Sequence, residues 1–136
     1  RAKIMGFEKI LVLEDDCELC IDFNERIHNL ELDDFDVFYL SGSHKEKPQK
    51  INEYYSKCTR TLTTHSYVID LTSFVAKELV NYLLSHFFQP VDGYFVDFQI
   101  EPNRFYVANK PLAWQKGGFS DINQREMYYE HLKDEI

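Results

Sequence analysis

Four apolar residues, Ile10-Leu11-Val12-Leu13, run straight into three carboxylates, Glu14-Asp15-Asp16. A short β-branched and Leu-rich run predicts a strand with both faces covered, as in a parallel sheet. Three acids at its carboxyl end then lie where open α/β sheets place their ligands. Carboxylates so close repel one another, and a hard divalent cation bound by their oxygens relieves that repulsion. Asp15 and Asp16 are therefore candidate ligands for Mn²⁺ or Mg²⁺. Glu14 alternates to the other side of the strand. The competing role for Asp15 and Asp16 is to cap a following helix.

The bulk properties narrow the partners. At 136 residues the chain is one domain's worth,. With 44% apolar and 15% aromatic residues it has enough to bury that disorder is excluded as a class,. A net charge of −8 argues against a nucleic-acid backbone or an anionic lipid surface as partner,. A phosphorylated ligand remains compatible when a cation bridges it to the acids. No apolar run is long enough to span a bilayer, and no signal peptide is present. Three cysteines, Cys17, Cys20 and Cys58, are too few and too odd in number for a disulfide scaffold,. The expectation is a reducing, cytoplasmic setting, peripheral to a membrane at most, unless the chain is a piece of a secretory-pathway protein.

Along the chain, Gly6 is placed to end a helical segment over 1–6, followed by a strand at 8–13. Leu19, Phe23, Ile27 and Leu30 recur at helical spacing and predict an amphipathic helix from Cys17 to Leu30,. Phe35 to Leu40 reads as a strand, and 41–53 as an exposed polar loop. Thr59 to Asp70 is predicted extended, and Leu71 to Phe88 helical with Asp70 or Thr72 as cap. Pro90-Val91-Asp92-Gly93 reads as a turn before Tyr94 to Ile100. Phe105 to Ala108 is predicted to be the last strand, followed by an aromatic and glycine-containing loop. The alternation of strands and helices indicates a single α/β domain over 1–136.

Three chemistries compete for the acidic strand end. A phosphorelay receiver opens with a similar strand and acid pair, and Lys110-Pro111 fits it too. It requires a phosphoacceptor Asp at its third strand, however, and that neighbourhood here is Tyr54-Tyr55-Ser56-Lys57-Cys58. A thiol redox site is suggested by Cys17-Glu18-Leu19-Cys20, but the surrounding acids raise thiol pKa values and oppose thiolate formation. The third is metal-assisted glycosyl transfer. A nucleotide-sugar donor leaves as a diphosphate whose charge a cation neutralises, and one or two carboxylates on a strand end suffice to hold that ion. An inverting transfer also needs a carboxylate base for the acceptor hydroxyl, and Asp92 is the candidate. Trp114 offers a flat ring to a sugar or to the core. His28, His44, His86 and His131 have no partner pattern and are expected at the surface.

Five pieces occur in one order: Leu13-Glu14-Asp15-Asp16, Phe35-Asp36-Val37-Phe38-Tyr39-Leu40-Ser41-Gly42, Thr64-His65-Ser66-Tyr67-Val68-Ile69, Pro90-Val91-Asp92, and Gln115 through Phe119-Ser120-Asp121-Ile122. In this order they resemble glycosyltransferase family 25, which includes lipooligosaccharide and collagen galactosyltransferases. The resemblance implies a GT-A-like fold, a mixed sheet with flanking helices, and a UDP-sugar donor, often UDP-galactose. It also implies Mn²⁺, inversion at the anomeric carbon, and a glycan, lipooligosaccharide or protein hydroxyl as acceptor. Carried over by position, Glu14-Asp15-Asp16 matches the metal motif and Asp92 the Asp of the Pro-Val-Asp element. Glu14, His65, Gln115, Ser120 and Asp121 are then expected near donor or acceptor. A GT-A enzyme carries a nucleotide-cradling βαβ half before its acidic motif, so the chain resembles the later portion of such a domain, N-terminally truncated. A non-catalytic binding domain of the same fold is the alternative.

Overall fold

The computed structural model describes residues 1–85, 90–120, 125–133 and 136. Its frame is a mixed six-stranded sheet in the order β1 (Lys9–Leu13), β8 (Ser66–Asp70), β3 (Val37–Tyr39), β9 (Phe105–Ala108), β6 (Tyr55–Lys57) and β5 (Gln49–Lys50). Within it β3 and β9 run parallel, and the other neighbours are antiparallel. Two-stranded ribbons join β2 (Cys17–Leu19) to β10 (Ala113–Gln115), β4 (Ser43–Glu46) to β7 (Arg60–Leu62), and β11 (Gly118–Ser120) to β12 (Arg125–Met127). Helices are few: α1 (Phe23–His28), α2 (Phe74–Leu84) and α3 (Val91–Asp97). The mixed α/β architecture with flanking helices agrees with the sequence reading at that level.

Alternation along β3 builds the two cores. Its central place leaves all three residues buried, so Val37 and Tyr39 face one side while Phe38 and Leu40 face the other,. On the first side they meet Tyr67, Ile69, Val75 of α2, Phe95 of α3, Phe105 and Val107. On the second they meet Phe35, Ala108, Leu112 and Ala113, with Phe23 and Ile27 of α1 and Trp114 packed alongside. Phe95 is the hub of the first core. Its ring centroid lies 5.4 Å from Tyr67, 5.9 Å from Phe105 and 6.4 Å from Tyr39, with edge-on geometry each time,.

Several local expectations are corrected. β1 is not enclosed in a parallel sheet; among the described residues it is an antiparallel edge strand paired with β8 alone, and it buries one face. A short apolar run cannot by itself distinguish these cases, because Ile10 and Val12 alone satisfy the core,. The helix expected from Cys17 begins only at Phe23, because Cys17-Glu18-Leu19 is taken by pairing with β10. The loop at 41–53 instead holds β4 and β5. The aromatic loop after residue 110 likewise holds β10 and β11, so β9 is not the last strand.

The cap of α2 is Ser73, whose hydroxyl accepts the Ala76 N–H at 3.1 Å, while Asp70 engages Thr72 instead,. The turn expected at Pro90 to Gly93 is instead the start of a helix: Pro90 is the cap of α3 and Asp92 lies in its first turn. His44 is half-buried against the Thr61 hydroxyl at 2.9 Å rather than at the surface, and burial lowers its pKa. His28 and His131 are exposed, and His86 lies outside the described residues.

Candidate active site

Antiparallel pairing assembles the acidic end. Because β8 runs against both β1 and β3, its first residues lie beside the last residues of each. Ser66 pairs with Leu13, the His65 carbonyl accepts the Glu14 N–H at 2.9 Å, and the Ser66 carbonyl accepts the Leu40 N–H at 3.2 Å. The β2–β10 ribbon closes the cluster from a third side. It sets Gln115 opposite Cys17, and the Lys116 N–H reaches the Asp16 carbonyl at 2.9 Å.

Gln115 is the hinge of the polar arrangement. Its Nε2 donates to Glu14 Oε2 at 3.1 Å and to Asp16 Oδ2 at 3.3 Å, so one amide serves two carboxylates. Thr64 Oγ1 donates to the other Glu14 oxygen at 3.3 Å. The Glu14 pKa is still raised, first by burial and then by repulsion from Asp16,. Asp15 and Asp92 add to that repulsion, which puts Asp92 within electrostatic reach of the strand end. Asp15 itself is exposed in the turn after β1. Asp92 is half-buried, with Oδ1 accepting the Gly93 N–H at 2.8 Å.

The region also gathers unsatisfied polar atoms. Among the described residues, the buried Asp16 Oδ1 and Thr63 Oγ1 of this region have no partner, while the His65 imidazole has the Ala113 backbone and the Ser66 hydroxyl has Cys17 beside it. Buried polar groups are normally paired, so the unmet Asp16 oxygen at the strand end is available to a ligand. Backbone strain coincides with it: Thr63, a β-branched residue, has φ +90° immediately before Thr64 and His65,. The approach is tight on the β3 side as well. A Cβ on Gly42 would fall 2.5 Å from Thr61 Cγ2, so only glycine passes there,.

Thr61 is anchored in turn by Gln99, just beyond α3. The buried Gln99 carboxamide accepts the Thr61 N–H at 2.7 Å and donates to the Thr61 carbonyl at 2.6 Å. This clamp ties the segment after α3, and so the helix carrying Asp92, to the strand that leads into His65.

His65 is buried, with Nε2 2.9 Å from Ser41 Oγ. Burial drives its pKa from 6.5 down to about 4, and the Ala113 backbone and the Asp16 charge offset this only in part. It is therefore neutral in the fold. The unfolded chain takes up the proton first, so the contribution to stability is complete above pH 6.5 and is lost as the pH falls toward 4,. The loss is on the order of 3 kcal/mol. Urea unfolding should show about 2 kcal/mol of this loss between pH 7 and pH 5, and His65→Gln should flatten it; an equally steep drop in the variant would refute the assignment.

As for a metal, no three His, Cys, Asp or Glu side chains converge among the described residues. A closed protein cage is not what a diphosphate-borne cation requires, since Mg²⁺-type ions are commonly held by one or two carboxylates plus substrate phosphates. Glu14 and Asp16, joined through Gln115 and with Asp16 Oδ1 unpartnered, fit that two-carboxylate demand. Cys17 does not fit thiolate chemistry: burial and then the neighbouring Asp16, Glu14 and Glu18 raise its pKa, while the Ser66 hydroxyl lowers it only in part.

The structure thus brings Glu14, Asp16, His65 and Gln115 together, with Asp92 in electrostatic range. Ser120 lies in β11 paired with Arg125, and Asp121 lies outside the described residues. Sequence reasoning gave no role to Ser41, Thr64, Ser66 or Gln99. Their signal was weak: small polar residues at the ends of apolar runs. Beside Gln115, Trp114 points to the opposite face of the ribbon, as strand neighbours do. There it lines a groove of about 590 Å³ with Glu18, Arg26 and Lys133, and its Nε1 donates to Glu18 Oε2 at 3.1 Å. Comparisons with known proteins found no matching family model, no matching curated protein and no matching solved structure.

Proposed function

We propose that the acidic strand end is the donor site of a metal-dependent, inverting glycosyltransferase that moves a hexose, in the first instance galactose, from a UDP-sugar to a hydroxyl of a glycan, lipooligosaccharide or protein. The observation that carries this reading is the Glu14–Gln115–Asp16 bridge with a buried, unpartnered Asp16 oxygen. The ordered resemblance of five sequence elements to family 25 supplies the reaction class.

In this reading Glu14 and Asp16, rather than the Asp15–Asp16 pair expected from the sequence, would hold Mn²⁺ or Mg²⁺, because Gln115 joins those two carboxylates; when bound the ion neutralises the charge developing on the departing diphosphate. Gln115 keeps the two carboxylates from separating. Asp92 takes the proton from the acceptor hydroxyl as its oxygen bonds to the anomeric carbon and the sugar–phosphate bond breaks. Neutral His65, fixed by Ser41, shapes the floor without adding charge.

Calorimetric titration of UDP into the protein tests this. Binding is expected with Mn²⁺ and absent after chelation. Absence of binding in both conditions would remove the donor-site reading and leave a non-catalytic domain.

A further inference from the structure

The side chains that meet the Glu14 and Asp16 carboxylates are neutral. Gln115 Nε2 donates to one oxygen of each, at 3.1 Å and 3.3 Å, and Thr64 Oγ1 donates to the second Glu14 oxygen at 3.3 Å. Among the described residues no lysine or arginine pairs with either acid. Lys116, next to Gln115 in the ribbon, turns its Nζ to Glu18 at 3.3 Å instead. Two like charges gathered on one uncharged NH₂ group keep most of their repulsion.

A carboxamide has two unlike ends. Its NH₂ end carries two N–H donors, one for each carboxylate here, and its carbonyl end is an acceptor. An NH₂ group that serves two carboxylates stands where a cation shared between them would bind, and its hydrogens repel that cation. Rotation about the last side-chain torsion, which is broad and roughly two-fold in glutamine, exchanges the two ends. It carries Oε1 to the place Nε2 holds, and glutamine carbonyls are among the oxygens that bind hard divalent ions. The backbone is held on both sides of this pivot. Gln115 is in register with Cys17, and the Lys116 N–H is fixed on the Asp16 carbonyl at 2.9 Å. The adjustment therefore falls to the side chain.

We propose that Gln115 is both the placeholder for the cation and its third protein ligand. In the cation-free fold its N–H groups hold Glu14 and Asp16 together; on binding, the carboxamide turns over and Oε1 joins their oxygens. The proposal rests on the donor-site reading and adds to it a neutral ligand that keeps the empty site assembled. The site then takes up its ion without moving a strand.

Titration with Mn²⁺ alone, followed by the electron paramagnetic resonance signal of the free ion, tests it together with thermal melts read by circular dichroism. Gln115→Met keeps the length, removes both polar ends, and should weaken Mn²⁺ binding about tenfold or more. Gln115→Glu exchanges the neutral oxygen for a charged one and should tighten binding about tenfold or more. The same variant should melt below the natural sequence without metal, where three carboxylates face one another, and above it with saturating Mn²⁺. A hydrogen-bonding role alone would lower both melts and reverse neither. Gln115→Met that binds Mn²⁺ as tightly as the natural sequence, or more tightly, would overturn the proposal, and so would Gln115→Glu without a gain in affinity. If one variant does not fold, the other decides. A natural sequence that takes up no Mn²⁺ would remove the donor-site reading and this proposal with it; uptake untouched by both variants would remove this proposal alone.

Discussion

Asp16→Ala is expected to weaken Mn²⁺-dependent UDP binding by more than about 100-fold, because even groups that only support a metal's ligands are worth about 10- to 100-fold. Asp16 is singled out among its neighbours by having one oxygen engaged by Gln115 and the other buried and unpartnered. Removing the side chain deletes both, and it leaves Gln115 with Glu14 as its one carboxylate partner. Asp15→Ala should cost far less, since Asp15 is exposed in the turn and touches Glu14 only through its charge. Asp92→Asn separates binding from chemistry: UDP affinity should hold while transfer falls by about 10²- to 10⁴-fold, the usual worth of a positioned base. Calorimetry with UDP and a coupled assay of UDP release read the two effects. An Asp16→Ala protein that binds UDP normally with Mn²⁺ would refute the ligand assignment, whatever its turnover.

Phe95→Ala is expected to destabilise the fold by about 3–5 kcal/mol, the range for truncating a fully buried aromatic. Phe95 has no exposed surface and touches three further rings, so the cavity would be lined by Tyr39, Tyr67 and Phe105, each itself held in a strand. Strand residues cannot slide inward without breaking their ladders, so little of that volume can collapse. A domain of this size typically has about 5–15 kcal/mol in total, so the variant would be marginal. Its melting temperature should fall by roughly 10–20 °C. Phe74→Ala is the control: Phe74 is 60% exposed, and its loss should cost about 1 kcal/mol or less,. Thermal melts followed by circular dichroism distinguish the two, and equal shifts would show that the core is not organised around Phe95.

What the sequence made legible was the chemistry of short segments, and what it hid was their pairing. Phe35 to Leu40 reads as a strand because its residues satisfy two cores by alternation, and α2 reads as a helix from its apolar spacing. The role of β1 was misjudged because four apolar residues look the same at an edge as in the middle. Cys17 to Leu19 kept the spacing of a helix face, yet pairing with β10, almost a hundred residues later, decided otherwise. Asp92 carried turn chemistry in Pro-Val-Asp-Gly, and the same residues serve equally as the first turn of a helix. Within the candidate site, the carboxylates, His65 and Gln115 could be named from their types and order. Thr64, Ser66 and Gln99 could not, because nothing in a threonine, serine or glutamine says which distant backbone it will meet.

The reach of Gln115 has a kinetic meaning. Its two carboxylate partners lie 101 and 99 residues earlier in the chain. The strands that align them also close long loops, β1 onto β8 and β3 onto β9. Such a topology folds slowly, since the entropy of each loop is spent before its contacts return anything. The acidic cluster consequently has no local, half-built version. During synthesis the triplet of acids stays uncoordinated by its amide until about a hundred further residues have been added, 101 from Glu14 and 99 from Asp16. Any species arrested on the way would carry the charge of the site without its geometry.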